Sequence, residues 1–401
     1  MKVLVIGLGI SGCAVVEYLL DDGDEVVGAD KVIKNRNLNC EIVSDAIDFG
    51  IFDFDLVVVS PGVRLGHRLI LKAIAHDIEV IGEAELACRN IPNIVVGVTG
   101  SNGKSTCVSL IAHALNCSGI NCALLGNIGT PLISDVRRLK KNIGDIVVAE
   151  ISSFQLETMK TKAFKSSVIL NITSGHLDRH ETMSNYAIAK RNIGYCTKND
   201  GSFYVGEDVL QKYGELFLGL SPIVTESAPI AICKDLGVSE EMFFSALTTF
   251  KKLPHRLQFL GNVRGVNCYN DSKATNVEAV SYAVKEIGKD IVLIAGGRDK
   301  GCDFSVWNSL FYGKVKNIIL IGESKKIIAN SLNNEIDVTF ASTLKEAVQK
   351  GLQVAKKGDN LLFSPGCASF DMFVNFEDRG NRFIMEIDDE SKRDCIDSCV
   401  Y

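Results

Sequence analysis

The stretch Ile94-Val95-Val96-Gly97-Val98-Thr99-Gly100-Ser101-Asn102-Gly103-Lys104-Ser105-Thr106 decides how this chain is read. A β-branched apolar run ends in glycines, then a lysine, then two hydroxyls. The apolar run Cys107 to Leu115 follows. The pattern predicts strand, tight loop and helix. Such a loop turns the N–H groups of Gly100, Ser101, Asn102 and Gly103 toward an anion, and the helix adds its positive end. Lys104 reaches the β- and γ-phosphates of a nucleotide, and Ser105 or Thr106 ligates Mg²⁺. Position 98 is valine where the strict pattern has glycine, so the loop is a glycine-rich variant with Gly97 and Gly100 beside it. A flexible turn with an incidental lysine would not need all four parts in this order.

Outward from the loop, the same rhythm recurs on both sides. Lys2 to Ile6 is an apolar strand, followed by Gly7-Leu8-Gly9-Ile10-Ser11-Gly12 and the apolar run Cys13 to Leu20. A second strand, Glu25 to Ala29, ends at Asp30. This is a dinucleotide-type fingerprint, with its acid about twenty residues on. Leu56 to Val59 is a third strand, closed by Ser60-Pro61-Gly62 where ligands bind in open α/β sheets. Arg64 and Arg68 read as solvated surface. Past the phosphate loop, Cys122 to Leu125 and Asp145 to Ala149 are strands, and Glu150 stands where a Walker-B-like acid holds Mg²⁺. Ser167 to Ile172 reads as a strand ending in His176-Leu177-Asp178-Arg179-His180. Ser184 to Tyr195 reads as a helix with Lys190 on its polar side.

Pro254 breaks the helical run Glu240 to Phe250 and marks a boundary. Strands at Val266 to Tyr269, Ile291 to Ala295, Ile318 to Ile321 and Leu361 to Phe363 each end in small polar or charged residues. Leu344 to Ala355 and Asp371 to Arg379 read as helices, and the acidic chain beyond Ile387 is expected to fray. The fold class is α/β with three domains. A Rossmann-like domain spans 1–91, a P-loop ATPase-like domain with a mostly parallel sheet spans 92–253, and a second Rossmann-like domain spans 254–401.

Composition excludes several classes. The chain has 401 residues, 46% hydrophobic and 23% charged, with a formal charge of −6. That balance argues against nucleic acid or an anionic membrane as partner. No apolar run reaches transmembrane length, and Met1 to Gly7 is broken by glycine too early for a secretory signal. The 13 cysteines are scattered through apolar segments. They read as reduced, buried thiols of a cytoplasmic protein rather than a disulfide frame or a zinc site.

Taken together, the chain resembles the Mur ligases, ATP-dependent amide-forming enzymes of peptidoglycan synthesis, and among them the D-glutamate-adding branch. The resemblance runs from about residue 1 to 387. It rests on Thr99 to Thr106, Asn127-Ile128-Gly129, Glu150 to Leu156, His176 to His180, Ala189-Lys190, His255-Arg256, Asn270-Asp271-Ser272-Lys273-Ala274-Thr275-Asn276, and Ser364 to Gly380. The Asn270 to Asn276 motif is the discriminating one.

The resemblance implies a reaction and a set of roles. An ATP-derived acyl phosphate of UDP-N-acetylmuramoyl-L-alanine would be captured by the amine of D-glutamate through a tetrahedral intermediate, giving ADP and phosphate. Ile10, Ser11, Asp30, Ser60 and Gly62 would bind UDP, and Asn127 and His176 the sugar-peptide part. Lys104 and the loop would hold ATP, with Arg256 and Asp271 touching it from the third domain. Lys104, Glu150, His176 and Lys190 form the catalytic set. Ser105 and Glu150 would hold one Mg²⁺; His176 and a Lys190 carbamylated by CO₂ would hold a second, with Mn²⁺ as a substitute. Thr275, Lys300, Ser369 and Phe376 would form the D-glutamate pocket. The implied protein is a cytoplasmic monomer acting on small molecules. Val32 and Gln258 depart from the pattern of the relatives. Three alternatives remain: a related Mur-type or folylpolyglutamate-type ligase with another acceptor, a nicotinamide-dependent oxidoreductase resting on Asp30, and a non-catalytic nucleotide-binding regulator.

Overall fold

The computed structural model describes residues 1–31, 38–46, 50, 53–333 and 336–398. Val32 lies outside them. The chain divides into two compact units, Met1–Ile172 with Arg179–Phe250, and Thr173–Asp178 with Lys251–Tyr401.

The first unit holds two parallel sheets. One is built from β1 (Lys2–Ile6), β2 (Glu25–Asp30), β3 (Glu41–Ser44), β4 (Leu56–Val59) and β5 (Glu79–Gly82), in the order β3-β2-β1-β4-β5. The other contains β6 (Val95–Thr99), β7 (Cys122–Gly126), β8 (Ile146–Glu150), β9 (Phe164–Ile169), β10 (Thr197–Val205) and β11 (Ile223–Val224), ordered β11-β10-β9-β6-β8-β7. In both, the order reverses beside a central strand, β1 or β6. The loop leaving that strand therefore opens between diverging neighbours, where ligands bind in such sheets. The strands are continuous Val, Ile and Leu runs because helices cover both faces.

One apolar interior serves both sheets. Val3, Val58 and Ile81 share a buried cluster with Val95, Val147 and Phe164. Two carboxylates of the Glu83–Asn90 helix enter it. Glu85 accepts hydrogen bonds from Lys160 N, Thr161 N and Thr161 Oγ1 at 2.8, 3.0 and 2.7 Å, and from Arg89 Nε at 2.9 Å. A buried carboxylate is tolerated when its lone pairs are used in this way.

The second unit carries a mixed sheet of β12 (Gln258–Val263), β13 (Val266–Asn270), β14 (Ile291–Gly296), β15 (Val315–Ile321), β16 (Asp337–Phe340) and β17 (Asn360–Phe363), ordered β12-β13-β17-β14-β15-β16. β12 and β13 form an antiparallel hairpin; the other pairs are parallel. The central strands are thus β17 and β14; together with the neighbouring parallel strand β13 they place the loops after residues 270, 296 and 363 at one sheet edge.

Several expectations are corrected. The strand expected at Ser167 to Ile172 lies at Phe164–Ile169, because pairing to β6 and β10 uses Phe164 and the two serines that look polar in sequence. The helical run from Glu240 ends at Leu247. No helix covers Asp371 to Asn375; a single helix spans Phe376–Ser398, and the chain past Ile387 continues in it instead of fraying. Buried Phe383, stacked on Phe363 at 4.5 Å, and buried Ile387 seat that helix on the core. The described cysteines are free thiols; six are buried, but Cys117 is exposed. No helix among the described residues is long and apolar enough to cross a membrane.

The loop after β1 is set by close packing. A Cβ on Gly12 would stand 1.9 Å from Gly7 O and 2.8 Å from Ser60 Oγ. Gly12→Ala is therefore expected to cost about 1–3 kcal/mol or more, seen as a lowered midpoint in thermal unfolding followed by circular dichroism.

Candidate active site

The phosphate loop leaves β6 and enters the Lys104–Cys117 helix through Gly103, whose φ of 82° is left-handed. A side chain there would be strained, which explains glycine at this position. Val98 is buried inside β6, in register with Glu150, so the strict pattern's missing glycine falls on a strand residue and not on the loop. Lys104 Nζ donates to Gly100 O at 2.7 Å and Ser101 O at 3.1 Å, curling over its own loop. Ser105 is buried and Thr106 exposed.

Asn171 holds this loop, and sequence reading missed it. Asn102 N donates to Asn171 Oδ1 at 2.9 Å, Asn171 Nδ2 returns to Asn102 O at 3.1 Å, and Ser101 N donates to Asn171 O at 3.0 Å. Tyr186, also missed, places its hydroxyl 3.1 Å from Ser101 Oγ. Asn171 had one visible signal, a lone amide inside an apolar run.

Glu150 ends β8 next to the loop, with Ile151 N donating to Val98 O at 2.9 Å. The side chain is buried. Oε1 accepts from Asn127 Nδ2 at 2.7 Å; Oε2 has no hydrogen-bond partner among the described residues. A bare, buried carboxylate oxygen is costly unless a cation faces it. Ser105 is buried one residue into the phosphate-loop helix.

Lys190 is not on a polar face. It is 1% exposed. The Met183–Tyr195 helix buries Tyr186, Ala187, Lys190, Ile193 and Gly194, one helical stripe, so the lysine occupies a core position. Its Nζ donates to Gly100 O at 2.9 Å and Thr99 Oγ1 at 3.4 Å, above the Tyr186 ring at 4.6 Å. Burial, then the charge of Lys104, push its pKa well below the usual lysine range, against the pull of Glu150. The amine is thereby held toward its neutral, nucleophilic form.

The two histidines of the 176–180 segment differ. His180 is buried, with Nε2 3.0 Å from Ser153 Oγ and Nδ1 3.4 Å from Glu157 Oε1, between the Phe154 and Tyr186 rings. His176 is half-buried at φ 57° and belongs to the second unit. Lys104, Ser105, Glu150 and Lys190 belong to the first. Among the described residues no group of three or more His, Cys, Asp or Glu is arranged to hold a metal.

At the loop after β1, Leu8 N donates to Asp30 Oδ2 at 2.7 Å and Ser60 Oγ donates to Gly7 O at 2.5 Å. One oxygen of Asp30 thus organises the loop itself. Ile10 is 80% exposed, Ser11 half-buried and Gly62 exposed, so this edge is open. Arg68 is not simply solvated: Nε and Nη2 donate to Asp45 O at 3.0 and 2.5 Å.

In the second unit, Arg256 sits between His255 at φ 59° and Leu257 at φ 42°. Gln258 Oε1 accepts from His255 N at 3.0 Å, so an amide oxygen serves as acceptor where relatives were expected to carry glutamate. Asp271 is buried; Oδ1 accepts from Leu257 N at 3.1 Å and Oδ2 from Ser364 Oγ at 2.7 Å. Burial raises its carboxyl to about 7, while Ser364, Leu257, Arg256 and Arg379 oppose the rise. Of the four acceptor candidates, Thr275 and Lys300 are half-buried, Ser369 is buried, and the half-buried Phe376 ring lies 3.7 Å from Lys273 Nζ. Burial also lowers the Lys300 pKa. Arg379, which sequence reading gave no role, is 1% exposed and binds Ser272 Oγ, Ser272 O and Cys367 O at 3.0, 2.7 and 2.9 Å. It locks the loop after β13 to the loop after β17.

Three family models match in sequence: the MurD-like N-terminal domain over residues 1–82, the Mur ligase middle domain over 98–215, and the Mur ligase glutamate ligase domain over 255–367. The chain belongs to the Mur ligases. It is 37% identical to the UDP-N-acetylmuramoylalanine--D-glutamate ligase of Protochlamydia amoebophila, covering 95% of this chain and 96% of that one. The Chlamydia pneumoniae protein of the same name is 36% identical, covering 95% and 97%. Among solved Mur ligases, MurF of Thermotoga maritima in complex with ADP matches with a TM-score of 0.62 at 14% identity, covering 98% of this chain and 95% of that one. The UDP-N-acetylmuramate-alanine ligase of the same organism matches at 0.59 and 16%, covering 96% and 98%. These structures share the Mur ligase fold with this chain.

Asp271 supplies a pH test. Its folded-state pKa of about 7 exceeds the ordinary 3.8, so the folded protein keeps a proton that the unfolded chain releases. Its contribution to stability is fully present below about pH 4 and falls as pH rises toward 7. Asp271→Asn should flatten the decline of the unfolding midpoint between pH 4 and 7 relative to the parent; an unchanged slope would remove the raised carboxyl.

Proposed function

We propose that this Mur ligase adds D-glutamate to UDP-N-acetylmuramoyl-L-alanine at the expense of ATP, releasing ADP and phosphate. The observation that carries the reading is the trio beside the phosphate loop: half-buried Lys104 and buried Lys190 on the Gly100 carbonyl, and buried Glu150 with one oxygen bare. The relatives' names supply the substrates, and the Asn270 to Asn276 motif agrees with them.

The division of labour follows the sheets. Residues 1–91 bind the UDP end through Ile10, Ser11, Asp30, Ser60 and Gly62, with Asn127 and His176 toward the sugar and peptide. Residues 92–253 hold ATP: the amides of Gly100 and Gly103, which Asn171 does not take as it takes those of Ser101 and Asn102, cradle the phosphates, Lys104 neutralises their charge, and Thr106 adds a hydroxyl. Residues 254–401 supply Arg256 and Asp271 to the nucleotide. There Thr275, Lys300, Ser369 and Phe376 receive D-glutamate, Lys300 pairing with a carboxylate.

Ser105 and the bare Glu150 oxygen suit one Mg²⁺, or Mn²⁺ in its place. A Lys190 carbamate with His176 suits a second. Such ions would neutralise phosphate charge during transfer. In its neutral form the Lys190 amine can attack CO₂ at carbon: an N–C bond forms as one C=O π pair moves onto oxygen, and the nitrogen releases one proton to water, which turns a repelled cation into an oxygen ligand. The chain's other task is positional. It holds a carboxylate, a γ-phosphate and an amine in line and keeps water from the acyl phosphate. We place the enzyme in the cytoplasm as a monomer.

Three measurements test this. Lys190→Ala is expected to lose activity by at least a hundredfold and to recover part of it in millimolar formate or acetate; no recovery with any short carboxylate would remove the carbamate. Lys300→Ala should raise KM for D-glutamate at least tenfold and leave KM for ATP within about threefold. A panel of amino acids at fixed ATP and UDP-substrate, read by phosphate release, should single out D-glutamate.

A further inference from the structure

Glu83 opens the Glu83–Asn90 helix directly after β5, and it is 1% exposed. Its Oε1 accepts from Ile133 N at 2.8 Å, and Oε2 has no hydrogen-bond partner among the described residues by distance and angle, although the Gln155 carboxamide faces the group. Burial pushes the carboxyl up to about 7, with Ile133, Gln155 and Leu132 opposing.

The two protein segments that Glu83 meets are the two that flank Glu150. Ile133 follows the loop from Gly126 to Pro131, which is closed by Gly126 N donating to Thr130 O at 2.9 Å. From that loop Asn127 grips Glu150 twice: its N donates to Glu150 O at 2.8 Å and its Nδ2 to Oε1 at 2.7 Å. On the other side, Gln155 Oε1 accepts from Ser152 N and Ser152 Oγ, each at 2.9 Å, which fixes the turn immediately after Glu150. Glu83 also lines a small cleft with Ser60, Pro61, Gly82, Phe154 and Arg179, at the edge where β4 and β5 end.

We propose that Glu83 is a positioning residue for Glu150, anchoring from the first sheet both the Asn127 loop and the Ser152–Gln155 turn. The inference rests on the reading of Glu150 as a metal-holding carboxylate. Glu83 itself touches no reactant. It sets the angle at which the bare Glu150 oxygen is presented, because a loop held at both ends has little freedom to rotate its amide.

The test is Mn²⁺ affinity of the full chain with ADP bound, followed by electron paramagnetic resonance, in a cycle of Glu83→Ala and Asn127→Ala. Glu83→Ala is expected to weaken Mn²⁺ at least fivefold. Glu83→Gln keeps an acceptor for Ile133 N and mimics the neutral acid, so it should stay within twofold of the parent. The double variant should be weaker than Asn127→Ala by clearly less than the Glu83→Ala effect alone, since the two share the Asn127 loop and only the Ser152–Gln155 turn is left to add. Independent, multiplying effects, or a Glu83→Ala protein that binds Mn²⁺ like the parent, would overturn the proposal. So would an equal loss in Glu83→Gln. Glu150→Gln is the control. If it binds Mn²⁺ normally, the metal reading falls and takes this inference with it; if it loses Mn²⁺ at least tenfold while Glu83→Ala loses less than fivefold, the inference alone falls.

Discussion

The carbonyl of Gly100 receives two lysine amines, Lys104 at 2.7 Å and Lys190 at 2.9 Å, in a region where Glu150 keeps one oxygen bare. Two ammonium groups on one acceptor repel, and burial penalises both charges. The fold resolves this unequally. Lys104 is half-buried on the loop, and Lys190 lies in a helix stripe with its pKa driven down. The outcome is a lysine on the loop placed for phosphate and a second, buried amine biased toward its neutral form. The bias at Lys190 would not arise at a surface lysine. The surrounding structure, the buried Met183–Tyr195 stripe and the Asn171 clamp, exists to keep this crowding in register.

The polar groups here depend on the parallel sheets behind them. In each sheet the central strands deliver a loop between neighbours that turn away, so backbone amides are left pointing outward with no strand partner. That placement is cheap for the loops and costly for anything buried beside them, and the chain answers with side-chain clamps. Asn171 satisfies the phosphate loop, Asp30 and Ser60 satisfy the loop after β1, and Arg379 ties the loops after β13 and β17. Each clamp is a polar side chain whose donors or acceptors are used mainly on backbone atoms, Arg379 adding the Ser272 hydroxyl, the condition under which burial is tolerated.

Much of this was legible in the sequence because strand-glycine-helix punctuation is local. The phosphate loop, the β1 loop and the acid at the end of β8 all lie within short windows whose residue types have one physical use. What stayed hidden is non-local. Lys190 read as polar because a lysine usually is; only the apolar company of Tyr186, Ala187, Ile193 and Gly194, seen at helical spacing, marks it as buried. Phe164–Ile169 carries two serines into a buried strand, and Ser167 Oγ finds Thr197 Oγ1 at 2.6 Å, a pairing no local window contains. The terminal helix looked like a fraying acidic tail because Phe383 and Ile387 are sparse among charges, yet a sparse stripe suffices when it lands on a core. Arg379 was invisible as a clamp, since its partners lie about a hundred and about a dozen residues away.

The second unit shows why such clamps are needed at all. His255 and Leu257 both take left-handed backbone angles, a conformation that costs non-glycine residues of order 1–3 kcal/mol each. Arg256 between them is thus presented by a strained segment, and strain persists only where the surroundings over-determine it. Here they do: Gln258 accepts the His255 N–H, Asn270 Nδ2 meets His255 Nδ1 at 2.9 Å, and Asp271 accepts the Leu257 N–H. Three side chains on and beside the β12–β13 hairpin therefore fix one arginine. The Asp271 carboxyl that completes the set is itself buried, held by Ser364 from the loop after β17. The geometry of Arg256 is consequently a property of the whole sheet edge, since loosening β17 would release Asp271, then Leu257, and with them the strained turn.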